Sequence, residues 1–526
     1  MKPARRSATL SSPTLPSLAA SAGLCCLLGL AVACSSGPGS EPRPTPTVPD
    51  SATPSAEPAS SSSSVPAPVY SSSAAPAGAV LAAWSQIVGD GGQGSPQIVA
   101  RIVVQGAGAD CGDFLVVTAP DGAPQPGLTA RTNPDTSAFP VTVCQGALDS
   151  QVEAWLLTDS SEQAILLWQL SDGGGASSGP KANGQGPAFI GASGNALVLA
   201  SIGDTGCRGD SDQPDCTLGS SDWPYQQIAE DVAGADPDFL IHVGDYRYFF
   251  ETTTPDTWDY WLTELFLPAR DLLLAVPQVL VRGNHEQCPV DGSIWYGEGY
   301  LYLLEPTTSD TTSLCGQNGD QLDPWYFDVT DPASSSSFRF VVLDTAVGSL
   351  PQADAQTALG FSAGQNSWWT AHHPFLGLYF SGSSAVFPES SLQSSLDSAL
   401  QATGTSLCTS GNCSPATFLS GHIHTYQKTH FYASGQTTGA WTAPRQVIVG
   451  NSGVDLRGSL SPVPCTVTGM PAPFDTSEGV VDEVDQFGYI LWTRSTTDTS
   501  GWSENAVFLS GGDSSNGSGS LPTCSG

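Results

Sequence analysis

Positive charge is scarce in this chain: 526 residues hold 16 Lys and Arg against 50 Asp and Glu, a formal net charge of −34 at pH 7. Nucleic-acid binding through phosphate neutralisation needs a basic surface and is excluded on that ground. The same acidic excess keeps a protein soluble and repels anionic substrates at long range. A site for phosphate esters would need local positive charge of its own, for which metal ions are one source. Long apolar runs are also scarce, and past residue 34 no segment is long and apolar enough to span a bilayer. C-x2-C spacings of the zinc-ribbon kind are absent, as is any internal repeat. Histidine is rare too, with seven in the whole chain.

What is present begins with an export signal over residues 1–33. Lys2, Arg5 and Arg6 precede an apolar run from Leu18 to Ala33 that is short for a membrane span. Ala31-Val32-Ala33-Cys34 resembles a bacterial lipobox, which implies a lipid anchor on Cys34 and a lipoprotein of the outer membrane facing the periplasm or cell surface. The same residues also fit ordinary cleavage after Ala31-x-Ala33. Residues 34–78 are nearly all Ser, Pro, Ala, Gly and Thr, a composition that buries too little apolar surface to fold and reads as a tether. Past the signal, Cys111, Cys144, Cys207, Cys216, Cys288, Cys315, Cys408, Cys413, Cys465 and Cys524 form an even set, which in an exported chain reads as disulfides. Nearest-neighbour pairing is one expectation among the many connectivities that spacing allows.

Residues 79–195 carry β-branched runs such as Gln97–Val104, Phe114–Val117 and Phe139–Cys144, and predict a small, sandwich-like all-β domain. From 196 to 455 short apolar strands alternate with helical stretches, the pattern of an α/β fold. Strands are expected at 196–202, 239–243, 278–281, 339–343, 367–371, 417–419 and 446–449. A helix begins near Thr254-Pro255-Asp256, its buried face formed by Trp258, Trp261, Leu262, Leu265 and Phe266. A weaker helix falls on 394–402, and residues 456–526 form a loop-rich extension with one hairpin around 488–494 and 505–509.

The chemistry lies at the strand ends. Asp204, Asp245, Asn284 with His285, His372, and His422 with His424 each follow a predicted strand. Ligands of open α/β sheets bind just past the carboxyl ends of strands. Five of the seven histidines sit in these motifs, and only His242 and His430 lie outside them. Carboxylate, phenolate, amide oxygen and imidazole together favour iron, manganese or zinc. Asp245 suits a bridging position between two ions, an arrangement that can clamp both the attacking and the leaving oxygens of a phosphoryl group. His285, next to Asn284, is placed to protonate a leaving oxygen.

The ordered motifs Asp204-x-Gly206, Gly244-Asp245-x-x-Tyr248, Gly283-Asn284-His285-Glu286, His372-x-Pro374 and Gly421-His422-x-His424 resemble the calcineurin-like metallophosphoesterases, and among them the purple acid phosphatase branch. Most of those relatives have D-x-H in the first motif. Here Gly206 replaces that histidine, and Tyr248 stands where the purple branch supplies a tyrosinate. Trp369 departs from the Val usual in the fourth motif, at a strand position. The resemblance implies a four-layer αββα sandwich with two packed sheets. It implies a ferric ion on Asp204, Asp245, Tyr248 and His424, and a second ion (Fe, Zn or Mn) on Asp245, Asn284, His372 and His422. It further implies hydrolysis of a small phosphorylated substrate by metal-bound hydroxide, with His285 as general acid. His373 and Arg208 are expected to touch substrate, Arg247 is a further candidate, Tyr426 is expected to shape the rim, and Glu286 to support the site. Two rival readings stay open: a phosphodiesterase or nucleotide hydrolase on the same fold, and a surface-binding lipoprotein without activity.

Overall fold

Alternation along the central strands sorts their side chains into three layers of core. In Val198–Ile202, Leu199 faces one cluster while Ala200 and Ile202 face another; in Phe239–His242, Phe239 and Ile241 point opposite to Leu240. In Ser337–Val342, Phe340 and Val342 oppose Val341, and in Ser367–Thr370, Trp368 opposes Trp369. Successive side chains of a strand point to opposite faces, so strands apolar on both faces must be covered on both. The computed structural model describes residues 75–89, 97–119, 126–148, 154–159, 196–210, 213–248, 255–289, 295–316, 321–331, 336–381, 384–386, 389–436, 438–457, 466–467, 470–475, 477–495 and 501–509.

Two large sheets share the middle layer, where Phe239, Phe327, Phe340, Trp368, Trp492 and Trp502 meet. Trp368 and Trp492 cross edge to face with centroids 4.8 Å apart, a favoured aromatic geometry. The helices Tyr225–Gly234, Arg270–Ala275 and Gly297–Leu303 cover the outer face of the first sheet. Gln352–Ser362 and Ser390–Thr403 cover that of the second. The expected αββα order is therefore present.

Within the first sheet, 198–202, 239–242 and 278–280 run parallel, and within the second, 337–342, 367–370, 417–420 and 445–449 do the same. The C-terminal hairpin Gly488–Arg494 and Trp502–Phe508 joins the first sheet beside 198–202. The described strands before residue 160 form an all-β region: Phe114–Ala119 pairs with Ala154–Asp159 in a small sheet whose Phe114, Val116 and Leu157 share a core with Ile98, Ala100 and Ile102, and the larger sheet is continuous with that of the α/β region. Its strand Val80–Val88 pairs in parallel with Gln278–Leu280 at Gln86 and Gln278, and Gln97–Gln105 and Val141–Leu148 continue the same sheet outward.

Two buried arginines fix this extension. The Arg101 guanidinium donates to Gln145 Oε1 at 3.1 Å, Gln86 Oε1 at 2.8 Å and the carbonyls of Leu303 at 2.8 Å and Glu305 at 2.6 Å. Arg131 donates to the Leu301 and Tyr302 carbonyls and pairs with Glu305 at 2.8 Å. These donors satisfy the carbonyls left open at the end of helix 297–303 and bind the N-terminal strands to the catalytic region.

The stripe Trp258, Trp261, Leu262, Leu265 and Phe266 is buried as expected. Only Trp258–Trp261 is α-helical, however, and Leu262–Phe266 is a π-helical turn. Disulfides join Cys111–Cys144, Cys207–Cys216, Cys288–Cys315 and Cys408–Cys413, the nearest-neighbour pattern. Such bonds persist in oxidising compartments, which supports export. Cys465, Cys524, the signal, Cys34 and most of the Ser/Pro-rich tether lie outside the described residues. Among the described residues no helix is long and apolar enough to cross a membrane.

Candidate metal centre

Each motif residue follows a parallel strand, and three of them leave it by a left-handed step: Asp204 at φ 55°, Asp245 at φ 56° and His422 at φ 70°. Such backbone is costly for residues other than glycine and persists where neighbours enforce it. Here the loops are tied to one another. The Asp204 and Thr205 N–H groups donate to the Gly244 and Asp245 carbonyls, both at 2.9 Å, and the His422 N–H reaches both Asp204 carboxylate oxygens at 3.0 Å.

The side chains converge as a result. The Tyr248 hydroxyl lies 2.9 Å from Asp204 Oδ1, 2.7 Å from Asp245 Oδ2 and 3.2 Å from His424 Nε2. Asn284 Oδ1 lies 2.9 Å from His372 Nε2 and 2.8 Å from His422 Nδ1. Asp245 Oδ2 is also 3.1 Å from His372 Nε2, so it stands between the two groups. The Nδ1 atoms of His372 and His424 face the carbonyls of Val243 and Asp455 at 2.9 and 3.1 Å. A carbonyl only accepts, so both Nδ1 atoms carry a proton, and the Nε2 atoms, which face the other ligand groups, are the ones that would bind a cation. All seven predicted ligands meet in one place.

The charges are arranged for cations. Asp204 and Asp245 are buried side by side, and burial raises the Asp204 carboxyl; His372 works against that rise and Asp245 adds to it. Burial, then the two carboxylates, push the Tyr248 hydroxyl far above its usual range. Burial disfavours charge on His372, yet Asp245 outweighs it and brings the imidazole up to about 9. His424 is driven down to about 3, by burial and then by Arg208. Adjacent buried carboxylates are costly without compensating charge, and metal ions would supply it.

Residues behind the ligands hold the ligand loops in place. Glu286 accepts the N–H groups of Asp245 at 3.1 Å, Tyr246 at 3.0 Å and Gly283 at 3.2 Å, the supporting role expected of it. Glu264, turned inward by the π-helical segment, accepts the Tyr248 N–H at 2.9 Å and Arg247 Nε at 3.2 Å. His242, outside the motifs, accepts the Gly244 N–H on Nδ1 at 3.2 Å and donates to Thr205 Oγ1 at 2.8 Å. A β-carbon at Gly206 would lie 2.8 Å from Arg247 Cα and 2.9 Å from the Tyr248 ring. With the Tyr246 carbonyl oxygen also at 2.8 Å, the 246–248 loop leaves no room for a side chain at 206.

The centre opens into a cavity of about 940 Å³ lined by Asp245, Asn284, His285, His422, His424 and Arg208, and at its rim by Tyr379, Arg457 and Phe487. His285 stands on its wall, its ring centroid 4.0 Å from that of Tyr248. Arg208 faces the cavity and pairs with Asp455 at 3.0 Å. Other expectations change. His373 is buried beside His422, ring centroids 4.0 Å apart, and is not among the residues that line the cavity; it offers a ring nitrogen within 4.8 Å of those of His372 and His422. Arg247 is fully buried against Glu264, Asp256 and the Tyr296 ring, out of reach of substrate. Tyr426 is buried with its hydroxyl on Glu504 and forms no rim. Sequence reasoning missed Glu264, Glu389 (3.6 Å from His422 Nε2), Asp455 and Arg457. No motif marks them, because they arrive from loops and helix ends.

Residues 198–426 match the calcineurin-like phosphoesterase family. Among curated proteins, no sequence matches the chain significantly. Similar solved structures include a purple acid phosphatase, PPD1, from yellow lupin (Lupinus luteus) seeds, at 14% identity and TM-score 0.48 over 79% of this chain and 70% of that one. PhoD is another, at 11% identity and TM-score 0.45 over 78% of this chain and 83% of that one. The region from 198 to 426 is a calcineurin-like phosphoesterase domain.

Proposed function

We propose that this chain is an exported, binuclear metal-dependent hydrolase of phosphate esters, of the purple acid phosphatase type and acting chiefly on monoesters. The observation that carries the reading is the placement of the Tyr248 hydroxyl between Asp204 and Asp245 and beside His424. The donor set fits the ions: Asp204, Asp245, Tyr248 and His424 would hold a ferric ion, and Asp245, Asn284, His372 and His422 a second ion of iron, zinc or manganese. When bound, such ions supply Lewis acidity and lower the pKa of water toward neutrality.

The remaining work falls to the protein. Glu286 and Glu264 hold the 245–248 loop rigid, so that Asp245 and Tyr248 need no reorganisation during the reaction. His285, its backbone N–H anchored on Asp245 Oδ1 at 3.0 Å, presents its ring to the cavity and delivers a proton to the departing alcohol oxygen. Arg208 adds positive charge where a phosphoryl oxygen would sit.

The direct test compares rates on a chromogenic monoester and a bis-ester; the monoester is expected to be faster by about tenfold or more, and the reverse order would favour a diesterase. Tyr248→Phe should abolish any purple or pink charge-transfer absorption while the fold persists, and a surviving band would remove Tyr248 from the ligand set. His285→Ala should lower kcat by about 10²–10⁴ for poor leaving groups and far less for good ones; equal losses across leaving groups would exclude the acid role.

A further inference from the structure

Beyond the metal centre, one cation at the cavity rim, Arg457, is held in place by an aromatic ring and, among the described residues, forms no ion pair. The Arg457 guanidinium carbon lies over the Tyr379 ring, 3.4 Å from its centroid, and Tyr379 in turn stands edge-on to His422, centroids 6.5 Å apart. Its backbone is clipped to the centre at two points. The Arg457 N–H donates to the His424 carbonyl at 3.1 Å, and His424 Nδ1 donates to the Asp455 carbonyl at 3.1 Å. Among the described residues no carboxylate forms an ion pair with Arg457. The acid whose charge it feels, Glu483, is engaged by the Gln427 amide at 3.0 Å. Arg208, by contrast, is paired with Asp455.

We propose that Arg457 is a specificity residue that receives a second anionic group on the substrate, so that the preferred monoesters carry a phosphate or carboxylate in their alcohol portion. The inference rests on the hydrolase reading above. A guanidinium stacked on an aromatic ring has lost much of its freedom and presents a planar fork of N–H donors, a geometry matched to carboxylate and phosphate oxygens. The metal ions would take the reacting phosphoryl group, which leaves this outer cation for a different group. The large cavity, with Phe487 and Tyr379 on its wall, has room for a polyatomic alcohol portion. In a chain of net charge −34, an arginine at the entrance also offsets long-range repulsion of polyanions.

The test is steady-state kinetics of the metal-loaded wild type, Arg457→Gln and Arg457→Lys on glycerol phosphate, phosphoglycerate and fructose bisphosphate. In Arg457→Gln the ratio of kcat/KM for the two substrates that carry a second anionic group to that for glycerol phosphate should fall about ten- to hundredfold, carried by KM, with partial recovery in Arg457→Lys. A larger fall on phosphoglycerate identifies a carboxylate as the second group, and a larger fall on fructose bisphosphate a phosphate. An unchanged ratio, or equal loss on all three substrates, overturns the inference while leaving the hydrolase reading intact. A wild type inert toward every ester overturns the hydrolase reading and this one with it.

Discussion

Asp245→Asn should empty both metal positions, taking bound metal from two ions per chain to near none and lowering kcat/KM by about a thousandfold or more, equivalent to roughly 4 kcal/mol. Its Oδ2 stands 2.7 Å from the Tyr248 hydroxyl and 3.1 Å from His372 Nε2, between the two donor groups, and Oδ1 accepts the His285 N–H at 3.0 Å. Asparagine matches the carboxylate in size and retains the Oδ1 acceptor, so the backbone should stay in place. What disappears is the anion that both ions would share. The change also removes the carboxylate that brings the buried His372 imidazole up to about 9, so the metal-free variant should be no more stable than the metal-free wild type. Added metal should therefore raise the melting temperature of the wild type and not that of the variant, since only a ligand that binds the folded state stabilises it. Elemental analysis and thermal melts with and without metal check both points. Normal metal content in the variant would remove Asp245 from the bridging position.

Arg101→Ala should destabilise the whole catalytic region by about 3–5 kcal/mol, the range for breaking a buried charged network. The guanidinium is fully buried, and its loss removes a donor from the carbonyls of Leu303, Glu305 and Thr307 and leaves Gln86 Oε1 to Trp84 Nε1 and Gln145 Oε1 to Arg131. Arg131 would keep Glu305 but could not reach all of these acceptors. Because Val80–Val88 and Gln278–Leu280 lie in one sheet, the strands before 196 should unfold together with the metal centre. Chemical denaturation followed by tryptophan fluorescence and by activity tests this. A shift below about 1 kcal/mol, or a separate early transition that leaves activity untouched, would show that the N-terminal strands are an independent domain.

The sequence made the metal centre legible because strand ends and ligand types coincide. Asp204, Asp245, Asn284, His372 and His422 each sit just past a short apolar run, and a parallel sheet brings such ends to one edge. The same local logic predicted the helix face at Trp258, Trp261 and Leu265. It did not reveal the π-helical turn, which exists to carry Glu264 to the Tyr248 N–H, and extra-residue turns of this kind often mark functional sites. Strands such as Tyr426–Ala433 and Ser477–Val484 were not legible, because their buried positions include Gln427, Thr429 and Ser477 instead of an apolar series. The joining of Val80–Val88 to the catalytic sheet was hidden for another reason: it depends on contacts nearly two hundred residues apart, and no pattern within either strand encodes its partner. His373 shows the limit of reading by adjacency. It follows a ligand directly, yet alternation along the chain turns it into the core, while Arg457, far from any motif, reaches the cavity rim.

Anomalous diffraction from crystals of the purified protein, recorded at the iron and zinc absorption edges, tests the central claim most directly. The account predicts two peaks about 3.5–4 Å apart, one beside Tyr248 and His424, the other beside Asn284 and His372, with Asp245 between them. A single peak, or two peaks placed away from these side chains, would contradict it.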